Sequence, residues 1–404
     1  MAKSTTMTLR KTRVGNDLND SLLKGGWTTI ILTFFFLYFI SGKCSTAEML
    51  VAVPFFVLLY FTQFIIGREA VIQAFQQWIG KNRYNVLLFP SLMLAFYILW
   101  MLLNGRNLLE GKPWLLLYII YFPVVIYILV NDSSRKISWI DFSVFVLLLL
   151  PTGFVNIGQN SDIPINGGGF DSVSHVMVIL AGVYAFAIVR SIKDVGFVPE
   201  IKLKSLFTAL MIWAAYYLVV FIFGTSVNFI AVVGYSETID VLFKSVVFTL
   251  IGTFLHTALF EELFFRGILQ NMLAKRIAQG KSWLLFWQIG FAILLLCAFL
   301  VGYTLEGKMK WFPALVTAGM FGSAYFIEKS RKYGMGVYTS LAITGVTFGL
   351  VHYLAKSIIY IGLACLAGWA YGYTYIKTKS VFYSALVHTL VNTGVLIFGL
   401  KMIR

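Results

Sequence analysis

The sequence predicts an all-α polytopic membrane protein with about thirteen transmembrane helices. Of its 404 residues 59% are hydrophobic and 12% are charged, whereas charged residues make up about 25% of a soluble globular domain. Apolar runs approaching the roughly 20 residues that span a bilayer recur along the whole chain. Basic residues collect in alternate connections between these runs, as they do in membrane proteins. A soluble enzyme is therefore excluded.

The apolar runs are separated by short polar connections that leave no room for a soluble domain. They begin near Trp27, Met49, Tyr84, Trp114, Trp139, Val173, Leu206, Val246, Trp283, Trp311, Val337, Ser357 and Ser380. The first run, from Trp27 to Gly42, is the shortest, and no Ala-x-Ala cleavage site follows it. We therefore expect an uncleaved first helix rather than a signal peptide.

The distribution of basic residues predicts the orientation of the chain. With thirteen spans, 22 Lys and Arg residues fall on the side of the N-terminus and 9 on the opposite side. Because cytoplasmic loops collect positive charge, we expect the N-terminus in the cytoplasm of a multi-pass protein of the cell membrane. The net charge of +15 thus comes mainly from basic residues in the connections between the apolar runs. Nucleic acid is therefore not an expected partner.

The three cysteines do not indicate a disulfide framework or a thiolate metal site. Cys44, Cys297 and Cys365 lie far apart and form no Cys-x-x-Cys spacing. We expect all three cysteines to be small apolar packing residues.

The eighth run carries three charges inside an otherwise apolar helix, at Glu261, Glu262 and Arg266. Ionisable groups at bilayer depth are costly and usually functional. Residues four apart share a helix face, so Glu262 can pair with Arg266, whereas Glu261 is turned about 100° away. The pattern predicts one paired and one free carboxylate. A purely structural ion pair near the membrane interface is the alternative reading.

Two of the four histidines lie in apolar runs close to the C-terminal end of the chain. His352 follows Phe348 by one helical turn, and His388 precedes Asn392 by one turn. A single imidazole of this kind is more often a packing residue. One free carboxylate, two imidazoles and an amide on three helices, however, are the groups needed to activate water and stabilise an oxyanion.

Three short motifs in this order resemble the CPBP family of intramembrane proteases. They are Glu261-Glu262-x-x-x-Arg266, Phe348-x-x-x-His352 and His388-x-x-x-Asn392, each in an apolar helix. The family includes type II CAAX prenyl endopeptidases and bacterial Abi proteins linked to bacteriocin maturation and self-immunity. The resemblance covers roughly residues 185–400.

The resemblance implies a role for each motif residue. Glu261 would act as general base on a water molecule, assisted by His352, while His388 and Asn392 would stabilise the oxyanion. Glu262 and Arg266, with Phe348 in the second motif, would support the local geometry.

The resemblance also implies a division of the chain. Residues 173–404 would form a CPBP-like protease core with a two-helix insertion near 283–327, and residues 1–172 an N-terminal transmembrane extension of about five spans. Within the core we expect the helix before His352 to begin near Thr344 rather than at Val337, because the residues between them are polar and rich in glycine.

Zinc is a possible cofactor, with Glu261, His352 and His388 as its ligands, since catalytic zinc takes three protein ligands and a water. The chain lacks His-Glu-x-x-His, which places two ligands on one helix face. The sequence therefore favours a metal-free, glutamate-driven mechanism without deciding the metal dependence.

The expected function is hydrolysis of a peptide bond in a membrane-tethered protein or peptide that is prenylated or otherwise hydrophobic. One alternative is a catalytically inactive immunity or scaffold protein of the same family. A proton-coupled transporter is less favoured, because the N-terminal runs offer few polar residues.

Overall fold

The computed structural model describes residues 2–40, 45–103, 113–130, 136–154, 173–235, 237–330 and 335–403. Cys44 lies outside the described residues. The chain divides into two compact units. The first comprises Met1–Arg135, Trp139–Lys193 and Phe197–Pro199, and the second comprises Lys136–Ser138, Asp194–Gly196 and Glu200–Arg404.

Helices account for nearly all of the described residues. Each of the thirteen predicted apolar runs coincides with a helix in this part of the chain. Among the described residues, seven helical segments are long and apolar enough to cross a membrane by length and composition, and four further apolar helices have 10–17 residues. The predicted all-α polytopic membrane fold is thereby confirmed.

The first unit is built from helices α1 to α7. Their bounds are Ala2–Ile40 (α1), Thr46–Ile65 (α2), Glu69–Lys81 (α3), Leu88–Leu103 (α4), Pro113–Val130 (α5), Trp139–Phe154 (α6) and Val173–Val183 (α7). Helix α7 continues into a π-helical turn, Tyr184–Val189. At its end Arg190 Nε lies 2.7 Å from Asp141 Oδ1 on α6, and both side chains are nearly inaccessible. This ion pair keeps two buried charges compensated.

The second unit contains helices α8 to α16 and a small sheet. The helices are Leu203–Ser226 (α8), Ile239–Gly252 (α9), Leu259–Glu262 (α10), Asn271–Gly280 (α11), Trp283–Thr304 (α12), Phe312–Lys329 (α13), Val337–Leu350 (α14), Ile358–Thr378 (α15) and Val381–Ile397 (α16). The sheet pairs β1, Ile230–Val232, with β2, Leu400–Met402, in antiparallel register. It ties the segment after α8 to the segment after α16.

Helices α9 to α11 form one run of 42 residues, Ile239–Gly280. Two π-helical segments, Thr253–Ala258 and Leu263–Gln270, interrupt it on either side of α10. Such segments rotate the following residues relative to a regular α-helix and are frequent at functional sites. Here they bracket Glu261 and Glu262.

Helix α14 begins at Val337, so the predicted start near Thr344 is wrong. The buried carboxylate of Glu328 on α13 accepts hydrogen bonds from the backbone N–H groups of Gly336, Tyr338 and Thr339, at 2.8–3.1 Å. These bonds satisfy N–H groups that the first turn of a helix leaves unpaired. Gly336 precedes the helix with φ of +85°, a conformation that favours glycine. The polar residues between Val337 and Thr344 therefore form the capped first turns of the helix.

Helices α14 and α15 approach each other closely through glycines. A Cβ atom added at Gly368 would lie 2.5 Å from the carbonyl oxygen of Gly345, and one at Gly349 would lie 2.5 Å from the backbone nitrogen of Cys365. The contact fixes the end of α14, where His352 follows, beside the start of α15.

The predicted division after residue 172 does not coincide with the boundary between the compact units. Helix α7 lies in the first unit, although the sequence placed it at the start of the protease core. The assignment of a protease core and an extension by function stays a prediction.

Candidate active site

A cavity of about 370 Å³ lies within the second unit. Glu261, His352, His388 and Asn392 all line it, together with Phe348 from the second motif. The remaining wall is mainly apolar and aromatic, as ligand cavities generally are. The three motifs that are distant in the sequence thus meet at one site.

The two adjacent glutamates of α10 face different surroundings. Glu262 is completely buried, and its Oε2 accepts from Arg266 Nε at 3.0 Å. The predicted ion pair is present. The Glu261 side chain keeps 25% of its accessible surface and lines the cavity. Its Oε2 is buried and has no hydrogen-bond partner among the described residues. A carboxylate oxygen without a hydrogen-bond donor can accept from a water molecule and take up its proton.

Glu262 also joins α10 to helix α16. Its Oε1 lies 3.0 Å from His388 Nδ1, and its Oε2 lies 2.6 Å from Ser384 Oγ. Ser384 and His388 are one turn apart on α16, so both can face the same carboxylate. Glu262 is thus the central acceptor of a network, beyond its predicted pair with Arg266.

Arg266 balances the charge of Glu262 inside the protein. It is completely buried, and neither Nη atom has a hydrogen-bond partner among the described residues. The guanidinium carbon instead lies 4.9 Å from the ring centroid of Phe348 and 5.9 Å from that of Tyr371. Aromatic faces stabilise a desolvated cation. Phe348 therefore contacts the ion pair as well as the cavity.

His388 is held between the two carboxylates. Nδ1 faces Glu262, as described, and Nε2 lies 3.9 Å from Glu261 Oε2. A carboxylate only accepts, so Nδ1 carries the proton and Nε2 is the atom presented to the cavity. The ring stacks on Tyr371 with centroids 4.6 Å apart and planes inclined by 10°. These contacts fix both the orientation and the tautomer of the imidazole.

His352 lies just beyond the end of α14, in the 3₁₀ turn Val351–Ala355. Its φ and ψ of −80° and 16° are non-helical, and this region of the backbone map is common at active sites. Nδ1 lies 2.7 Å from the carbonyl oxygen of Phe348. A carbonyl cannot donate, so Nδ1 is again protonated and Nε2 is free to accept from a water molecule.

Asn392 follows His388 by one turn of α16 and also lines the cavity. Its amide provides N–H donors near the two imidazoles. His256 is not among the residues that line the cavity. His175 belongs to the other compact unit.

The proposed zinc ligands do not fit a zinc site. In the described part of the chain, no group of three His, Cys, Asp or Glu side chains is placed to hold a metal ion. Glu261 and His388 approach each other, but His352 does not complete a three-ligand set with them. A catalytic zinc site needs three such ligands around one point.

Several residues of the site escaped the sequence analysis. Ser384 could have been found, since it precedes His388 by one turn on the same helix face. Tyr360 and Tyr371 line the cavity from α15, a helix that carries none of the motifs. No motif or residue spacing in the sequence indicated that these two tyrosines belong to the site.

One comparison with known proteins matches the part of the chain that forms this cavity. The family model described as "Type II CAAX prenyl endopeptidase Rce1-like" matches residues 243–337 and 323–394. All seven motif residues lie in the matched region. The match supports the resemblance over residues 243–394, within the roughly 185–400 that the sequence predicted. No curated protein and no solved structure matches the chain significantly.

Proposed function

We propose that the protein is an intramembrane endopeptidase that hydrolyses a peptide bond of a membrane-associated substrate with water activated by Glu261. The observation that carries the proposal is the approach of Glu261 to His388 in a cavity, with 3.9 Å between Oε2 and Nε2. The family match supports protease activity. The roles of the individual residues rest on geometry and chemistry.

The space between Glu261 and His388 suits a reacting water. A separation of 3.9 Å exceeds a hydrogen bond, so Glu261 Oε2 is open to accept a hydrogen bond from a water molecule beside His388. Glu261 would take a proton from the water as its oxygen attacks the scissile carbonyl carbon. His352, with Nε2 free, would accept a hydrogen bond from the same water and orient it.

The tetrahedral oxyanion needs donors on the other side of the carbonyl. The Asn392 amide supplies N–H groups directly, and His388 donates from Nε2 when it is protonated. Glu262 on Nδ1 holds the ring in position for either role, as the carboxylate does in a catalytic triad. The proton on Glu261 then passes to the amine nitrogen as the C–N bond breaks.

The apolar part of the cavity supports a hydrophobic substrate. Val220, Leu363, Ala364 and Val391 line it beside the catalytic groups. A prenylated or otherwise hydrophobic peptide tethered to the membrane would match this lining. We further propose that the protein is inserted in the cell membrane with its N-terminus in the cytoplasm.

The test is the full-length protein with Glu261→Gln, a change that keeps the size of the side chain and removes its basicity. The variant should bind substrate without cleaving it, so the trapped substrate should co-purify and be identified by mass spectrometry. Glu306→Gln, at an exposed glutamate between α12 and α13, is the matched control and should cleave normally. If Glu261→Gln retains the full biological activity of the wild type, the protein acts as a scaffold or immunity factor and the proposal is wrong.

A further inference from the structure

One phenol in the cavity wall, that of Tyr360, is not used by the mechanism above. Tyr360 lies in the first turn of α15, where its backbone N–H donates to Ser357 Oγ, the cap of that helix, at 3.4 Å. Only a short turn separates α15 from the 3₁₀ segment that carries His352. The backbone thus fixes Tyr360 beside His352.

The side chain of Tyr360 faces the proposed catalytic groups. It lines the cavity, and its ring stands edge-on to His352, with 5.8 Å between centroids and an interplanar angle of 65°. Glu261 lines the same cavity. Tyr360 is half-buried, and its hydroxyl has no hydrogen-bond partner among the described residues. The O–H group is therefore available to a bound molecule.

Two neighbouring tyrosines, Tyr216 and Tyr371, make other contacts. The Tyr216 hydroxyl donates to the carbonyl oxygen of Leu363 at 3.0 Å. Tyr371 is almost completely buried, with its ring stacked on His388. Tyr360, by contrast, makes a ring contact with His352 and lines the same cavity as Glu261.

The balance of donors and acceptors indicates what the phenol does. Glu261 and Nε2 of a neutral His352 both accept, which suits the two protons of a water molecule but not the oxygen of a substrate carbonyl. That oxygen gains negative charge during attack and is stabilised by donors placed in advance. Asn392 supplies one donor, and an uncommitted phenol supplies another.

We propose that Tyr360 is a further catalytic residue, whose hydroxyl donates a hydrogen bond to the scissile carbonyl oxygen as the oxyanion forms. The phenolic proton stays on Tyr360, and no bond to the tyrosine is made or broken. This inference rests on the proposed function, since it requires a peptide carbonyl in the cavity.

The test compares Tyr360→Phe with the wild type in the full-length protein, reconstituted in liposomes, on the substrate trapped by Glu261→Gln. Removing one oxyanion donor should lower kcat by about 100-fold and change KM less than about twofold. Tyr353→Phe removes a phenol from the neighbouring turn, at an exposed residue that does not line the cavity, and should leave both constants unchanged. Fluorotyrosine at position 360, which keeps the donor, should restore kcat.

The outcomes separate this inference from the proposed function. If Glu261→Gln is inactive while Tyr360→Phe cleaves like the wild type, the role of Tyr360 is refuted. The proposed hydrolysis by water that Glu261 activates is then unaffected. A raised KM with unchanged kcat, or a loss that fluorotyrosine does not restore, makes Tyr360 a packing residue and also refutes the inference. If the wild type cleaves nothing and Glu261→Gln traps nothing, both proposals fail.

Discussion

Glu262 and His388 are joined by a hydrogen bond of 3.0 Å between Oε1 and Nδ1, across 126 residues of sequence. The bond links the charged turn of α10 to α16 and orients the histidine nitrogen that faces Glu261. Glu262 forms an ion pair with Arg266, and it therefore also positions the imidazole of His388. The site depends on Glu262 in two ways, which can be separated by mutation.

Glu262→Gln should abolish cleavage and destabilise the protein by about 3 kcal/mol, because it leaves Arg266 buried without a counter-charge. The measurement is the free energy of unfolding in detergent, together with the cleavage rate. The double variant Glu262→Gln/Arg266→Met removes both charges and should recover most of the stability but not the activity. Recovery of activity in the double variant would show that Glu262 serves only the ion pair.

Ser384→Ala removes a hydrogen bond of 2.6 Å to Glu262 from a fully buried site. Hydrogen bonds to charged groups contribute about 1.5–3 kcal/mol, so stability should fall by an amount in this range. Cleavage should persist at a reduced rate, since Glu262 keeps its contacts with Arg266 and His388. Ser330→Ala, at an exposed serine that ends α13, serves as the control. Equal stability of the two variants would contradict this account of Ser384.

Glu328→Gln tests whether the carboxylate of Glu328 holds the start of α14. The neutral amide accepts the three backbone hydrogen bonds less well, and loss of a helix cap costs about 1 kcal/mol. We expect lower stability and faster hydrogen exchange of the backbone amides of Gly336, Tyr338 and Thr339. If their protection from exchange is unchanged, Glu328 does not hold the start of this helix.

Gly368→Ala should push α14 and α15 apart, because the new Cβ atom would meet the backbone of Gly345. Overpacking of this kind costs about 1–3 kcal/mol, and displacing the end of α14 moves His352, so cleavage should also fall. Gly319→Ala on α13 is the matched control, since a Cβ atom there meets nothing within 4 Å. Similar activity of the two variants would show that the close approach is not needed.

Metal analysis of the purified protein provides a separate prediction. Because Glu261, His352 and His388 do not form a three-ligand group, we expect substoichiometric zinc and cleavage that survives chelation. One zinc ion per chain, with activity lost on chelation and restored by zinc, would overturn that expectation.

The fold was largely predictable from the sequence because bilayer-length apolar runs specify helices with little ambiguity. The Glu262–Arg266 pair was equally predictable, since positions four apart share a face of any helix. The start of α14 was not, because its cap comes from Glu328 on another helix. The same limit applies to the Glu262–His388 bond and to Tyr360: both depend on which helices become neighbours, and local spacing contains no information about that.

The most direct test of the account is the rate at which purified Glu261→Gln protein in liposomes cleaves the substrate that it traps. Removal of the general base should lower kcat by about 10²–10⁴-fold, while substrate binding and the unfolding temperature stay close to those of the wild type. Cleavage at the wild-type rate by a correctly folded Glu261→Gln protein would contradict the central claim that Glu261 activates the water.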